Sequence, residues 1–240
     1  MGKQDNIFRK GNSSGLPFSF NKEVAEVFED MIDRSVPGYK TSLSLISHHA
    51  QRYYQKDTNC YDLGCSLGAS SLSIVSNVKD VRVIAIDNSE AMINECMRRF
   101  QESPKYQNVQ FLQEDIMEST IENASFIVVN YLVQFLDLTQ RDMLFEKMYR
   151  ALLPGGVLLV SEKVHYENKY QTNRIFRTHH KFKAANGYSD LEISGKRDSL
   201  EGVLLTEYEE DHLLRASKAG FKKTEKVLSN LNFRTFVFLK

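Results

Sequence analysis

Between residues 60 and 160, short apolar runs alternate with stretches of helical periodicity, and no other feature limits the possible folds as strongly. The apolar runs, which are rich in β-branched residues, lie at residues 60–63, 81–86, 109–112, 126–129 and 157–160. Apolar strands separated by helices are typical of a parallel sheet that is covered by helices on both faces. The alternation therefore predicts an α/β fold with a doubly wound, mostly parallel sheet.

Two helices are predicted before this alternation begins. Apolar residues spaced three and four apart from Val24 to Ile32 indicate the first, with Asn21 as its N-cap and Pro37 beyond its end. The second is predicted at residues 42–54. Residues 1–18 show no such pattern, and we expect a flexible N-terminal arm there, followed by a single domain at residues 19–240.

The last third of the chain departs from the alternation. A polar, basic segment at about residues 165–205 predicts a helical insertion, and capping-box patterns at residues 139–142 and 206–209 predict the starts of two helices. Strand patterns at residues 222–228 and 233–239 are joined by a loop so short that only antiparallel pairing is possible. The sheet should therefore have seven strands, with an antiparallel last strand.

Charge and cysteine content give no sign of a nucleic-acid or membrane partner, a disulfide framework or a metal site. Lysine plus arginine equals aspartate plus glutamate, at 31 each, so net charge gives no reason to expect a nucleic acid or a membrane as partner. The three cysteines form no CxxC pair, which predicts neither disulfides nor a metal site and fits a reducing compartment. The polar start does not resemble a signal peptide, and the longest apolar stretch is too short to span a bilayer. We expect a cytoplasmic protein.

Polar residues and glycine follow four successive predicted strands. Gly64 and Gly68 follow the first, Asp87 the second, Asp115 the third and Asn130 the fourth. In α/β folds ligands bind at this edge of the sheet, and a carboxylate at the end of the second strand can accept both ribose hydroxyls of a nucleotide. The two glycines alone are equally typical of an ordinary tight turn.

The missing motifs narrow the ligand. A dinucleotide-binding enzyme would carry G-x-G-x-x-G, and a phosphate-binding loop would carry a lysine after its glycines. Neither is present in the chain. The ligand predicted from these residues has an adenosine and little phosphate, and S-adenosylmethionine fits that description.

The insertion carries a local excess of positive charge. Seven lysines and arginines face two acids between residues 169 and 197, and His179 and His180 add possible donors. Such a segment attracts anions, whether a small dianion or RNA phosphate, but a solvated helix face would have the same composition. The paired histidines have no third residue at ligand spacing, which favours a structural role over metal binding.

Several stretches resemble a known family. DLGCSLGASSLS, IAIDNSEAMI, IENAS and LLPGGVLLVSEK resemble class I S-adenosylmethionine-dependent methyltransferases, which have a Rossmann-like fold. SVPGYKTSLSLI, HHKFKAANGYSDLEISGKR and LRASKAGF more specifically resemble the carboxy-S-adenosyl-L-methionine synthase family. The likeness runs from about residue 20 to 239, and the GYSDLEISGKR stretch is its most specific part.

The resemblance implies an unusual reaction of S-adenosylmethionine with prephenate. Prephenate would lose its ring carboxyl and hydroxyl groups to give phenylpyruvate. The sulfonium methyl carbon, after losing a proton, would trap the carbon dioxide to give carboxy-S-adenosyl-L-methionine. The product would serve tRNA wobble uridine modification, to 5-oxyacetyluridine. The resemblance also suggests a homodimer, whereas direct tRNA binding is not expected.

Residue roles follow from the matched motifs. Arg197 and Tyr39 are the candidate catalytic residues. A carboxymethyl sulfonium needs a cation beside its carboxylate, and the guanidinium of Arg197 offers a fork for that carboxylate. The resemblance implies a cofactor site formed by Tyr39, Gly64, Cys65, Ser66, Asp87, Asn88, Asp115, Ile116, Asn130 and Arg197. No dedicated general base is evident, and a group of prephenate itself is the hypothetical proton acceptor.

Two other functions stay open at this point. An ordinary methyltransferase acting on tRNA or a small molecule would bind the same cofactor and be indifferent to prephenate. A cofactor-sensing or tRNA-binding module would bind tRNA in a salt-sensitive manner and turn nothing over.

Overall fold

The computed structural model describes residues 3–9, 17–101 and 106–240. Within them the helices are α1 Lys22–Ser35, α2 Tyr39–Tyr53, α3 Ala69–Val75, α4 Glu90–Gln101, α5 Leu138–Ala151, α6 Lys169–Ala185, α7 Asp190–Leu200 and α8 Glu209–Ala219. The strands are β1 Asn59–Leu63, β2 Arg82–Asp87, β3 Val109–Gln113, β4 Ala124–Asn130, β5 Leu152–His165, β6 Glu207–Tyr208, β7 Lys223–Asn230 and β8 Phe233–Leu239.

Seven of these strands form one twisted sheet in the order β3-β2-β1-β4-β5-β8-β7. The five strands from β3 to β5 pair in parallel, and β8 is antiparallel to both β5 and β7. This confirms the doubly wound sheet and its antiparallel end. The two-residue strand β6, which pairs with β5, was not predicted.

The apolar runs form strands because both faces of the sheet are covered. Alternate residues of β4 point to opposite sides: Ile127 and Val129 pack with Leu144 of α5, and Phe126 and Val128 pack with Ile46 of α2. All six of these side chains are wholly buried, in two apolar clusters on opposite faces of the sheet. The parallel register brings the carboxyl ends of β1 to β4 to one edge.

The two predicted helices are present, but neither starts with the predicted capping box. Helix α5 already begins at Leu138 after Asp137, so Thr139 lies inside it. The hydroxyl of Thr206 is hydrogen-bonded to His165 Nδ1 at 3.0 Å, because Glu207 and Tyr208 extend the sheet before α8 starts. The predicted cap of α1 is confirmed, since the Asn21 side chain accepts from the Val24 N–H.

The N-terminal segment is partly described, and that part is packed. Asp5 is 1% exposed, its N–H donates to Asp30 and its carboxylate accepts from the hydroxyl of Tyr188. Residues 1–2 and 10–16 of the predicted flexible arm lie outside the described residues, and for them flexibility stays a prediction. Helices α6 and α7 form the predicted insertion. In the described part of the chain no helix combines the length and apolarity needed to cross a bilayer.

Candidate active site

A cavity of about 1250 Å³ opens at the carboxyl ends of β1 to β4, between the sheet and the insertion. All ten residues predicted to bind the cofactor line this cavity, although they are spread along the chain from Tyr39 to Arg197. Their individual roles stay predictions. The volume exceeds the roughly 300–1,000 Å³ of a site for one small ligand, so two substrates can be accommodated together.

The loop after β1 is shaped by backbone conformations that favour glycine. Gly64 has φ +70°, and a Cβ atom there would lie 2.8 Å from Leu132 Cδ1. Ser66 is also left-handed, at φ +48°. The N–H groups of Gly64 and Cys65 both donate to the Ile86 carbonyl, at 2.8 and 3.0 Å. The loop is therefore tied to β2 and holds its backbone close against the cavity.

Asp87 links this loop to the next helix. One carboxylate oxygen accepts from the Ser66 N–H and the other from the Ser89 N–H, both at 2.9 Å. Burial raises the pKa of Asp87, and the two backbone donors oppose that shift. The carboxylate is thus held in one orientation at the end of β2, with Asn88 beside it in the cavity wall. Each oxygen has a further lone pair for a ligand hydroxyl.

A second carboxylate lies behind the loop and was missed from the sequence. Asp62, in β1, accepts from the N–H and hydroxyl of Ser71, at 2.9 and 2.7 Å. Its other oxygen has no hydrogen-bond partner among the described residues. Burial raises the pKa of Asp62 to about 6. Its position two residues before Gly64 was the available signal, because such a residue fixes the loop to the start of α3.

Asn130 ends β4 within a group of hydroxyls. Its side-chain oxygen accepts from Ser42 at 3.3 Å, and its amide donates to Ser70 at 3.4 Å. The next residue, Tyr131, has φ +64°, and its ring centroid lies 6.5 Å from that of Tyr39. Burial raises the pKa of both tyrosines, so each hydroxyl stays protonated and can donate to a ligand.

Asp115 and Ile116 lie after β3, on the far side of Asp87 from Asn130. The Asp115 carboxylate accepts from the Met117 N–H at 2.8 Å, which turns the backbone there. Lys147 donates to the Ile116 carbonyl at 2.6 Å, and the Ile116 side chain is buried in the cavity wall. An apolar side chain beside a carboxylate suits the face and edge of a purine ring.

Aromatic rings close the cavity on the side of α1. Phe20 packs edge-on against Phe18 and Phe135, with centroids 5.2 Å apart in each case. The segment that carries these rings has two main-chain anchors. The Phe18 N–H donates to the Ser199 carbonyl at 2.8 Å, and Ser89 donates to the Phe20 carbonyl at 2.6 Å. The sequence analysis missed this cover, because residues 17–20 have no secondary structure.

The insertion and β5 supply the positive side of the cavity. Lys183 of α6 and Lys196 and Arg197 of α7 line it, whereas the other four predicted cations, Lys169, Arg174, Arg177 and Lys181, are exposed and lie outside its lining. Lys163, at the end of β5, joins the cavity cations and was missed. Applying the strand-end argument to the fifth strand would have found it.

Arg197 has only an exposed partner. Its Nε and Nη2 donate to Asp198 Oδ1 at 3.0 and 2.9 Å, and more than half of each side chain is exposed. Such solvent-exposed pairs contribute little stability, so Arg197 can exchange Asp198 for a ligand carboxylate at small cost. The same chain that provides Asp87 also provides Arg197 to this cavity.

Each of the two histidines makes one polar contact. His179 Nε2 is 2.7 Å from the Ser35 carbonyl, and His180 Nε2 is 2.7 Å from Asp190. Burial lowers the pKa of His179 to about 3, so it is neutral. No group of three metal-ligating side chains occurs in residues 3–9, 17–101 and 106–240.

Comparisons with known proteins give two results. A methyltransferase-domain family model matches residues 61–156. The carboxy-S-adenosyl-L-methionine synthase of Salmonella arizonae is 45% identical over 100% of this chain and 98% of its own length. The protein of the same name from Klebsiella pneumoniae is 44% identical with the same coverage.

Solved structures share the fold at low identity. Human N-acetylserotonin methyltransferase, in complex with S-adenosylmethionine, aligns with a TM-score of 0.61 at 15% identity, covering 98% of this chain and 57% of that one. Magnesium protoporphyrin IX methyltransferase from Synechocystis also has a TM-score of 0.61, at 14% identity, covering 87% and 86%. These neighbours identify the class I methyltransferase fold.

Proposed function

The chain belongs to the carboxy-S-adenosyl-L-methionine synthase family, and from that membership we propose that it converts S-adenosylmethionine and prephenate to carboxy-S-adenosyl-L-methionine and phenylpyruvate. The cofactor occupies the glycine-loop side of the cavity, with its ribose on Asp87 and its adenine between Asp115 and Ile116. Prephenate occupies the cationic side formed by the insertion.

The proposed reaction balances without an additional reagent. The bond between the prephenate ring and its carboxylate breaks, the ring hydroxyl leaves, and the ring becomes aromatic. The S-methyl carbon loses a proton and forms a bond to the released carbon dioxide. The proton and the hydroxide leave as water, so a dianion and a cation give a monoanion and a neutral sulfonium carboxylate.

Arg197 carries this proposal. A methyl donor has nothing anionic beside its sulfur, and an ordinary methyltransferase gains nothing from a guanidinium there. A carboxymethyl sulfonium does gain, because arginine binds a carboxylate through two parallel hydrogen bonds. The supporting observation is that Arg197 lines the same cavity as Asp87 and Asn130, with only an exposed aspartate as its present partner.

The chain's residues orient the reactants, and the prephenate hydroxyl takes the proton. Protonated Tyr39 and Tyr131 donate hydrogen bonds near the sulfonium arm, and Asn130 is held there by Ser42. The aromatic cover excludes water, which would otherwise quench a deprotonated methyl group. Positioning and charge thus replace a dedicated base.

Four further assignments belong to this proposal. The product serves as carboxymethyl donor for tRNA wobble uridine modification, in the cytoplasm, without direct tRNA binding by this chain. The active form is a homodimer. Helix α6 supports the homodimer, since all of its side chains are at least partly exposed and Tyr170 is 78% exposed.

Mass spectrometry of the reaction tests the proposal. Purified protein is incubated with S-adenosylmethionine, with and without prephenate. We expect a product one carbon dioxide heavier than S-adenosylmethionine, together with phenylpyruvate, only when prephenate is present. Methyl transfer at the same rate with and without prephenate would identify an ordinary methyltransferase. Salt-sensitive tRNA binding without any product would identify a binding module.

A further inference from the structure

We propose that Lys163 and Lys183 form a separate anion site that binds the prephenate carboxylate retained in phenylpyruvate, an inference that rests on the proposed function. Arg197 would then receive the carboxylate that is transferred. The two carboxylates of the substrate have different fates, so one cation cannot hold both through the reaction.

Both lysines have ammonium groups that are unpaired among the described residues. Neither Lys163 nor Lys183 forms a hydrogen bond or ion pair with any described residue, although both are half-buried in the cavity wall. The neighbouring cations differ. Lys196 donates to the Ser35 hydroxyl at 3.0 Å, and Arg197 is paired with Asp198. An unpaired cation removed from water is costly unless a ligand supplies the missing anion.

Lys183 is surrounded by positive charge. Two cations lie close enough to lower its pKa, Lys163 of β5 and Arg197 of α7, and a third, Lys196 of α7, also interacts with it. Burial, followed by these two charges, lowers the pKa of Lys183 to about 8, so it still carries its proton at neutral pH. Burial also lowers the pKa of Lys163. Two neighbouring ammonium groups without a counter-ion among the described residues are the arrangement expected of an anion site before its ligand binds.

The cavity also offers apolar surface for the rest of the ligand. Phe176, Ile193 and Phe233 line the same cavity as these cations and can contact a six-membered ring. His179, which packs edge-on against Phe233 at 5.2 Å, is neutral and adds no competing charge. Two cationic positions and apolar surface in one cavity match a cyclic dianion better than they match a phosphate chain.

Substitutions with a matched control test the inference. Lys163→Met and Lys183→Met each remove a charge from the cavity. The control, Lys181→Met, removes a charge from the exposed side of α6, outside the cavity lining. For the two cavity variants we expect the prephenate KM to rise at least about tenfold and the S-adenosylmethionine KM to stay within about twofold. Lys181→Met should change neither. Lys183→Arg should restore most of the prephenate affinity.

Phenylpyruvate assigns the carboxylate, because it retains only one of the two. Its inhibition constant should rise about tenfold in Lys163→Met and Lys183→Met and stay within about twofold of wild type in Arg197→Met. Weaker inhibition only in Arg197→Met would overturn the assignment. So would an unchanged prephenate KM in both lysine variants. Thermal melts identify unfolded variants, and Lys163→Gln and Lys183→Gln then replace them.

Direct binding separates this inference from the proposed function. Calorimetry measures phenylpyruvate binding to the wild type and the lysine variants whether or not product forms. Lysine-dependent binding by a wild type that forms no product would retain the anion site and refute the synthase activity. Turnover by the wild type with lysine-independent phenylpyruvate binding would refute the anion site alone. Absence of both turnover and binding would refute both.

Discussion

The two sides of the cavity are built differently. On the glycine-loop side, polar groups are already engaged: Asp87 accepts from two backbone N–H groups and Asn130 is bonded to two hydroxyls. On the insertion side, Lys163 and Lys183 have no partner among the described residues, and Arg197 has only an exposed one. The first side is organised before its ligand arrives, whereas the second holds charge that a ligand must neutralise.

This difference separates the part of the cavity that the fold shares with other methyltransferases from the part that the insertion adds. The glycine-loop side follows the architecture shared with the methyltransferases that have this fold, and it explains binding of the common cofactor. In the proposed function, the insertion side distinguishes an enzyme that carboxylates S-adenosylmethionine from one that transfers its methyl group. Substitutions on the first side should affect both forms of the cofactor alike, and those on the second should affect only anionic ligands.

The largest expected effect is on the insertion side. Arg197→Met should weaken binding of carboxy-S-adenosyl-L-methionine by roughly 10- to 150-fold, the equivalent of about 1.5–3 kcal/mol for a charge-assisted hydrogen bond. Binding of S-adenosylmethionine should change by less than about threefold, since it has no carboxylate beside the sulfur. Calorimetric titration with both compounds measures this, and equal losses would contradict the proposed role. Arg197→Lys, which keeps the charge without the fork, should fall between.

The opposite pattern is expected at Asp87. Asp87→Asn should weaken S-adenosylmethionine and its carboxylated form by the same factor, roughly tenfold to thirtyfold, because both share the ribose and the lost charge-assisted bonds are worth about 1.5–2 kcal/mol. The same titrations give the two ratios. A selective loss of the carboxylated form would show that the two sides of the cavity are not independent.

Two glycines allow a comparison of backbone strain. Gly64 and Gly202 have φ of +70° and +74°, but a Cβ atom would contact Leu132 at Gly64 and nothing within 4 Å at Gly202. Gly64→Ala should lower the free energy of unfolding by about 2 kcal/mol or more, and Gly202→Ala by about 1 kcal/mol, the cost of a left-handed residue alone. Denaturant titration compares them. Equal losses would mean that Leu132 moves aside freely.

The smallest expected effect is on pH dependence. Lys183 is charged below a pKa of about 8 and neutral above it. The prephenate KM should therefore rise by about threefold between about pH 7 and 8.4, as part of the roughly tenfold rise expected on complete loss of this charge, because the anion loses one of its cations. Lys183→Met should show a shallower rise, since Lys163, Lys196 and Arg197 remain. Steady-state kinetics at constant ionic strength measures the difference, and parallel profiles would exclude Lys183 from the site.

The sequence predicted the sheet well because burial on two faces leaves a continuous apolar run for each strand. It predicted the glycine-loop side for a related reason: parallel strands bring Gly64, Asp87, Asp115 and Asn130 to one edge wherever they lie along the chain. The capping boxes were wrong at Thr139 and Thr206, because a local pattern cannot reveal a helix that starts earlier or a hydroxyl that bonds to a distant strand.

The insertion side was harder to predict, since helical faces decide it. Seven cations were counted along residues 169–197, yet only Lys183, Lys196 and Arg197 line the cavity. The four others share the segment and its composition but lie on its outer surface. Which face of α6 meets the cavity depends on how α6 and α7 pack against α1, where His179 and Lys196 both contact Ser35, and no spacing within the segment encodes that choice.

The short aromatic segment at residues 17–20 has a consequence for protein engineering. One of its hydrogen bonds reaches Ser199 at the end of α7, and another comes from Ser89 at the start of α4. A chimera that grafts the insertion alone onto a methyl-transferring relative would sever this connection. A chimera designed to carboxylate S-adenosylmethionine must therefore include residues 17–20 together with the insertion, although the two segments are far apart in the sequence.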